Sequence, residues 1–364
     1  MSKFWNRFHS TRYLFVVKDR GTGAMPEETF TGNITIRDVA ARAGVALSSV
    51  SRVMSGHPDV SPAMRARVEE AVAALGYEPD LLAQSLRSGS TRTIGFIIRD
   101  ISNPLYALIA RACEQELRRH GYSMILMNSD GSIETESKNF LLLRRRRVDG
   151  VIASLVAEDS PSVKKTIVSL RAPLVLLDRE VKGLQASAVI TDHHDGVYEA
   201  TKHLLDAGHT KISFITGAEN VYSTRDRMSG FKQAFADAGK EINEALLALG
   251  GFDAEYAFVH TRTLMAKKPR PTALITGGIG STSGALRALN EMGIKIGKDL
   301  AFVALDEWPL FDVFSPQISS VYRDAKAIGA EAAHLMLEVL KGGPQKESVM
   351  ETKFTARFSS EGGL

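Results

Sequence analysis

The stretch Ile34–Met54, ITIRDVAARAGVALSSVSRVM, sets the reading of the front of the chain. It predicts two short helices joined at Gly44. Thr35 can cap the first, with Asp38 at capping-box spacing, and Val39, Ala40 and Ala43 fall on one small apolar face. Gly44 offers a backbone position free of Cβ clash, and Val45 buries the elbow. In the second segment Val50, Val53 and Met54 face inward, while Leu47, Ser48, Ser49 and Arg52 face outward. Two short helices at a steep angle, presenting small polar groups and an arginine, suit the major groove of DNA. The competing reading is a helical hairpin buried in an ordinary core, and the following residues weigh against it.

Ser61-Pro62 starts a third helix, with Ser as N-cap and Pro in the first turn. Val68, Ala71, Val72 and Leu75 would cover the two-helix unit, Gly76-Tyr77 stops the helix, and Pro79 enforces an extended link. Asp80–Ser88, DLLAQSLRS, is a helical run too short to be stable alone. Its leucines Leu81, Leu82 and Leu86 either pack on the next domain or order on DNA, with a leucine wedged into the minor groove.

The 364 residues suffice for two or three domains, and 44% apolar with 24% charged content is that of a soluble globular protein. The net charge of +3 does not itself argue for nucleic acid. Ile34–Arg92 holds seven Arg, no Lys and six acids, so DNA contact there must come from placement rather than from a bulk basic field. Cys113 is the single cysteine, which excludes an intrachain disulfide and fits a reducing compartment; it reads as a small buried side chain. No apolar run reaches a membrane span. Residues 1–33 lack helical period and read as a disordered arm, with a start at Met25 as a second expectation.

Beyond Thr93 the period changes. TIGFII, SMILMN, VDGVIASL, PLVLLD, AVIT, KISFIT, a segment near Ala248–Gly250, TALIT and LAFVAL read as strands alternating with helices. Such βα alternation argues for parallel sheets covered on both faces. The strand count and the restart near residue 190 suggest two similar lobes. Ligands in such sheets sit beyond the carboxyl ends of the strands. Polar residues recur at those ends: Asp100–Pro104 and then Tyr106, Asp178-Arg179, Arg225 and Arg227, and Asp306-Glu307-Trp308. Carboxylates and arginine forks bind hydroxyl or acid groups, and an aromatic ring can stack on a sugar. Arg144–Arg147 ends a helix and reads as a solvated terminus. His193-His194 and His209 lack metal-ligand spacing, so no metal is expected, and Asp195 reads as a helix cap. Gly277, Gly278 and Gly280 form no phosphate loop, and G-x-S-x-G is absent.

TIRDVAARAGVALSSVSRVM, VSPAMRARVEEAVAALGYEPD and LLAQSLRSGSTRTIGFI, followed by DISNPLYALIARACEQELRRHGYSMILMNSD, RRVDGVI, PLVLLDRE, LLDAGHTKISFITG and STRDRMSGF, closely resemble the lactose-repressor (LacI/GalR) family of bacterial transcription regulators over about residues 34–360. The resemblance implies an all-α helix-turn-helix headpiece (34–79) plus hinge helix and linker (80–92). A two-lobed α/β core (93–364) with parallel sheets, like periplasmic binding proteins, would follow. Lobe 1 would hold about 93–190 and 322–342, and lobe 2 about 191–320 and 346–364, the chain crossing near Thr191, Ser319–Arg323 and Gly342–Glu347. ARFSS resembles the usual final strand.

The resemblance further implies a cytoplasmic, nucleoid-associated homodimeric repressor that binds double-stranded operator DNA and a small-molecule effector, without cofactor or catalysis. Thr35, Leu47, Ser48, Ser49, Ser51, Arg52 and Leu86 would contact DNA, and Tyr106, Asp178, Arg227 and Asp306 the effector. Departures are Ala46 in place of a Ser or Thr cap, Asp80 in place of Asn before the hinge, and Gly277-Gly278 in place of an Asn-Asp pair that contacts ligand. A transport-linked solute-binding protein would fit the two lobes but not the helical front. An α/β enzyme would need an ordered acid, base and nucleophile set, which the sequence does not offer.

Overall fold

In the computed structural model, residues 34–78, Ser85 and residues 89–361 are described. The chain divides into an N-terminal unit ending at Asp80 and a larger unit from Leu81 onward. The N-terminal unit contains α1 (Ile36–Ala43), α2 (Leu47–Met54) and α3 (Pro62–Leu75). Asp38 closes the first turn of α1 by accepting from both the Thr35 N–H and the Thr35 hydroxyl, each at 2.8 Å. Gly44 ends α1 in the left-handed region at φ 62°, and Val45 N–H returns to Ala40 O at 3.1 Å. Ser61 caps α3 by accepting from Met64 N–H at 3.3 Å. Val39, Ala40, Ala43, Val50, Val53, Val68 and Ala71 form the core of this unit.

The larger unit contains two six-stranded sheets. The first is built from β1 (Thr93–Ile98), β2 (Ser123–Asn128), β3 (Gly150–Ala153), β4 (Leu174–Leu177), β5 (Ser187–Thr191) and β11 (Glu347–Met350), in the order β11-β5-β4-β3-β1-β2. The second holds β6 (Ile212–Gly217), β7 (Leu247–Gly250), β8 (Ala273–Thr276), β9 (Ala301–Leu305), β10 (Ser319–Arg323) and β12 (Thr352–Thr355), in the order β12-β10-β9-β8-β6-β7. The two orders correspond strand for strand. All pairings are parallel except β10 with β12. The central strands are apolar on both faces because helices cover both, whereas edge strand β2 has only exposed and half-buried residues.

The first sheet is flanked by α4 (Pro104–Arg119), α5 (Ile133–Arg145), α6 (Pro161–Leu170) and α11 (Ala325–Leu340). The second is flanked by α7 (His193–Asp206), α8 (Tyr222–Asp237), α9 (Ala254–Met265) and α10 (Ile279–Glu291). Three helix pairs pack with a glycine against a neighbouring backbone carbonyl. A Cβ at Gly284 would lie 1.9 Å from Ala254 O, one at Gly230 2.1 Å from His194 O, and one at Gly329 2.2 Å from Ile109 O. Only hydrogen at these positions lets the helix axes approach so closely.

The chain passes between lobes at Asp192, Asp324 and Glu351. Two of these crossings are tied together: Asp192 N–H donates to Met350 O at 2.9 Å, and the Thr352 hydroxyl donates to Asp192 O at 2.7 Å. This corrects two expectations. The third crossing falls at Glu351 rather than within 342–347, so Glu347–Met350 belongs to the first lobe, where it pairs in parallel with β5. The final strand is Thr352–Thr355, and ARFSS does not form it: Phe358–Ser360 is a short 3-10 turn anchored by Ser359 to β9 and β10. The buried helical face of the last 40 residues supplies α11, whose Ala332, Ala333 and Met336 complete the first lobe's core.

Candidate functional site

Two surfaces concentrate the predicted residues, one in each unit. In the N-terminal unit Val50 and Val53 fix α2 by burial, which leaves Leu47, Ser48 and Arg52 exposed on its opposite face. Ser49, predicted to face outward, is half-buried, as is Ser51: at 100° per residue both flank the Val50–Val53 stripe. Ala46 starts α2 with extended backbone and no side-chain hydrogen bond, so the missing cap anticipated from the sequence is a structural fact. Thr35 is exposed, with its hydroxyl committed to Asp38, and these hydrogen bonds hold the Asp38 carboxyl below its usual range. Leu86 and Asp80 lie outside the described residues. Arg144–Arg147 are exposed, as a solvated helix end requires.

In the larger unit, corresponding strands of the two lobes place an aspartate at their carboxyl ends. Asp178 follows β4 and Asp306 follows β9, both with positive φ (48° and 69°). Each sends its N–H to the neighbouring strand, Asp178 to Val189 O at 2.9 Å and Asp306 to Val321 O at 3.1 Å. This unusual backbone turns each carboxylate out of its strand and toward Arg323. Arg323, at the end of β10, joins them: its Nε donates to Asp306 Oδ1 at 2.7 Å and its Nη1 to Asp178 Oδ2. Asp178 Oδ1 also accepts from Thr191 N–H at 2.8 Å. Burial alone would raise the Asp178 carboxyl, but Arg323 and His193 outweigh it and hold it well below the usual carboxylate range. Burial would likewise discharge Arg323; the two aspartates reverse that and raise it above an ordinary arginine.

Arg227, on α8, is 2% exposed and donates from Nη1 to Gly277 O at 2.8 Å. Its guanidinium lies 5.6 Å from the Phe252 ring centroid, and its Nε has no partner. Burial pushes it down to about 10, against the opposing pull of Asp306. His193 is lowered by burial and by Arg227, more than the nearby Asp178 can restore. Tyr106, at the start of α4, shares a hydrogen bond with Ser154 Oγ at 3.0 Å, and its phenol is near enough to Arg227 and Arg323 to bear on the charge of both. Trp308 and Ile279 of the second lobe pack into the cluster built by α4 and α11 of the first.

The structure thus brings Tyr106, Asp178, Arg227 and Asp306 to one interlobe site. Sequence reasoning missed Arg323, Phe252 and His193 there. Arg323 ends a strand, a signal that could have been used had β10 been read as one. Arg225 instead ties the lobes together: it donates to Glu158 Oε2 at 2.9 Å, while Glu158 Oε1 accepts from Tyr222 N–H at 2.6 Å. Asp100 is used locally, accepting from Ser102 N–H at 2.8 Å. Asp195 is not the cap of α7; Asp192 is, accepting from Asp195 N–H at 3.0 Å. Asp192, His194 and Asp195 bring potential metal-ligand atoms within 4.8 Å of one another, an arrangement that capping and the His194–Asp195 contact account for. Among the described residues no helix is long and apolar enough to cross a membrane.

Residues 35–80 match the family model described as bacterial regulatory proteins, lacI family. Residues 91–361 match that of periplasmic binding proteins and sugar binding domain of LacI family. The HTH-type transcriptional repressor PurR of Vibrio parahaemolyticus serotype O3:K6 is 30% identical over 87% of this chain and 95% of its own length. Among solved structures, the complex of the transcriptional regulator CelR with cellobiose aligns with TM-score 0.68 at 28% identity, covering 90% of this chain and 100% of that one. The lac repressor dimer bound to operator and an anti-inducer shares the fold, with TM-score 0.78 at 23% identity over 90% of this chain and 99% of that one. Front and core thus agree in kind with one architecture: the chain belongs to the LacI family of bacterial regulatory proteins and is a transcription regulator, with a helix-turn-helix DNA-binding region and an effector-binding core, rather than an enzyme.

Proposed function

We propose that the protein is a homodimeric repressor whose α2 reads operator DNA and whose interlobe site decides when it does so. The division of labour follows the residue blocks: 34–79 as headpiece, 80–92 as hinge, and the remainder as sensor and dimerisation core, acting at the nucleoid in the cytoplasm. Arg52 can grip guanine O6 and N7 as a fork, with Leu47 and Ser48 on neighbouring base edges. Thr35, Ser49 and Ser51 are assigned to the rim of this surface as phosphate contacts, which position without specifying. Leu86 would wedge into the central minor groove between two half-sites related by the dimer axis.

The observation that supports effector control is the Asp178–Arg323–Asp306 triad. One arginine holds a carboxylate from each lobe, so a ligand that competes for either aspartate changes what the lobes gain by standing in this orientation. The lobes are crossed by three chain segments, and the first lobe begins directly after the hinge, so a change in lobe orientation can reach the hinge. Tyr106, Asp178, Arg227 and Asp306 are the assigned ligand contacts, and the effector is a small polar metabolite of the sugar class or related to it.

The test is an operator obtained by in vitro selection and titrated in mobility shifts at fixed salt. Arg52→Ala should weaken cognate binding by roughly 1–3 kcal/mol, about 5- to 150-fold, and relax discrimination at one base pair. Leu86→Ala should weaken binding without changing base preference. If both variants bind like the unaltered protein, the assigned interface is wrong.

A further inference from the structure

The charges of the interlobe site do not balance in the way a neutral ligand would need. Arg323 satisfies both aspartates. Arg227, equally buried, forms no ion pair among the described residues; it has one hydrogen bond, to Gly277 O at 2.8 Å, and a bare Nε. A second guanidinium stands across the cleft. Arg99 follows β1 in the first lobe; its guanidinium forms no ion pair or hydrogen bond among the described residues and lies 5.4 Å from the centroid of the same Phe252 ring that Arg227 touches at 5.6 Å. One ring from the second lobe therefore carries two cations, one from each lobe. A ring face offsets only a small part of a guanidinium's charge, and Asp306, the carboxylate that pulls on Arg227, is already paired with Arg323.

Three neighbouring features have the same sign or none. Gly277 and Gly278 carry no acid themselves, and α10 begins at Gly278 without a side-chain cap, so the positive end of this helix dipole enters the site with only Asp306 near it, its Oδ2 3.3 Å from where a Cβ at Gly278 would stand. The Thr216 hydroxyl, which a Cβ at Gly277 would touch at 2.3 Å, is buried without a partner. His193, whose Nε2 lies 3.5 Å from Asp178 Oδ2, is pushed toward its neutral form by burial and by Arg227.

We propose that the effector is an anion whose carboxylate or phosphate group sits between Arg227 and Arg99 against Phe252, with its hydroxyls toward Asp178 and Asp306. This rests on the reading of the interlobe site as the effector site. The ligand class is then a sugar acid or a phosphorylated sugar rather than a neutral sugar. The two arginines come from different lobes, so the anion would bridge them and reward their approach, which couples occupancy to lobe orientation.

Calorimetric titration of the full-length protein tests this with matched sets: glucuronate, galacturonate and gluconate; glucose 6-phosphate and ribose 5-phosphate; and glucose, galactose and ribose. At least one anion should bind about tenfold or more tightly than its neutral parent, and whether it is a carboxylate or a phosphate identifies the source of charge. Arg99→Gln, at a half-buried position outside the triad, should reduce that affinity about tenfold and leave neutral sugars unaffected; Arg227→Met, at an assigned ligand contact, should likewise reduce anion affinity. The proposal is overturned if neutral parents bind as tightly, if Arg99→Gln leaves anion affinity unchanged, or if no anion in the set binds. A neutral sugar that binds and shifts operator affinity would overturn this proposal alone. A protein that retains operator binding but takes up none of these ligands would count against the effector site as well.

Discussion

Glu136 is the residue at which burial and charge conflict most openly. It lies in the first turn of α5 with no exposed surface; Oε1 accepts from Val156 N–H at 2.8 Å, and Oε2 has no partner. Burial pushes its carboxyl up to about 7 from 4.5, despite that hydrogen bond and the more distant Arg179 and Arg99. The sign follows from linkage. The folded protein holds this proton more tightly than the unfolded chain between these two values, so stability falls as pH rises through that window and levels off above it. A rise of this size makes the group's contribution at pH 8 about 2–3 kcal/mol worse than at pH 5. Glu136→Gln keeps the acceptor for Val156 and cannot ionise. Urea unfolding read by Trp308 fluorescence, in a Trp5→Phe background, reports on the core. The stability of the Gln variant relative to the parent should therefore rise by about 2–3 kcal/mol from pH 5 to pH 8. A difference that stays flat across this range, or that falls, would show the carboxylate to be ionised and stabilising, and would refute the reasoning.

Three further outcomes are expected. Ala46→Ser should supply the missing cap of α2 and raise headpiece stability by about 1 kcal/mol, seen as a later thermal transition of the helical unit; no gain would mean that the α2 N-terminus is already satisfied. Gly284→Ala adds about 1 kcal/mol of helix propensity but drives a methyl against Ala254 O at 1.9 Å, so core stability should fall by a net 1–3 kcal/mol, roughly, in chemical denaturation. His193 is lowered in the fold, so it is protonated more readily in the unfolded chain. Its contribution is present above the ordinary histidine value near 6.5 and is lost as pH falls below it. His193→Gln should therefore flatten the acid side of the stability profile, and an unchanged slope would remove His193 from the account.

The helix-turn-helix was legible from local patterns because its instructions are local. The Gly44 elbow, the Thr35–Asp38 turn, the Ser61-Pro62 start and a single apolar stripe per helix all act within a few residues of themselves. The alternation of buried strands and helices from Thr93 onward was legible for the same reason, as was the recurrence of polar residues at strand ends. Asp178 and Asp306 could be picked out as such residues. Nothing within their own segments says that they face one another.

That juxtaposition comes from long-range pairing. Corresponding strand orders in the two sheets set β4 and β9 in equivalent places, and positive backbone angles then turn the two carboxylates toward Arg323, 145 and 17 positions away along the chain. The same distance explains the misplaced crossing. Glu347–Met350 is a four-residue, half-exposed run, too short for its alternation to mark a lobe, and it joins the first lobe because β5 presents an edge to it. Local chemistry specifies helices, turns and buried strands, since hydrogen bonds and side-chain periods act over a few residues. Which lone arginine meets which pair of aspartates depends on the packing of two sheets and three crossing segments, and the chain meets that condition only once it has folded.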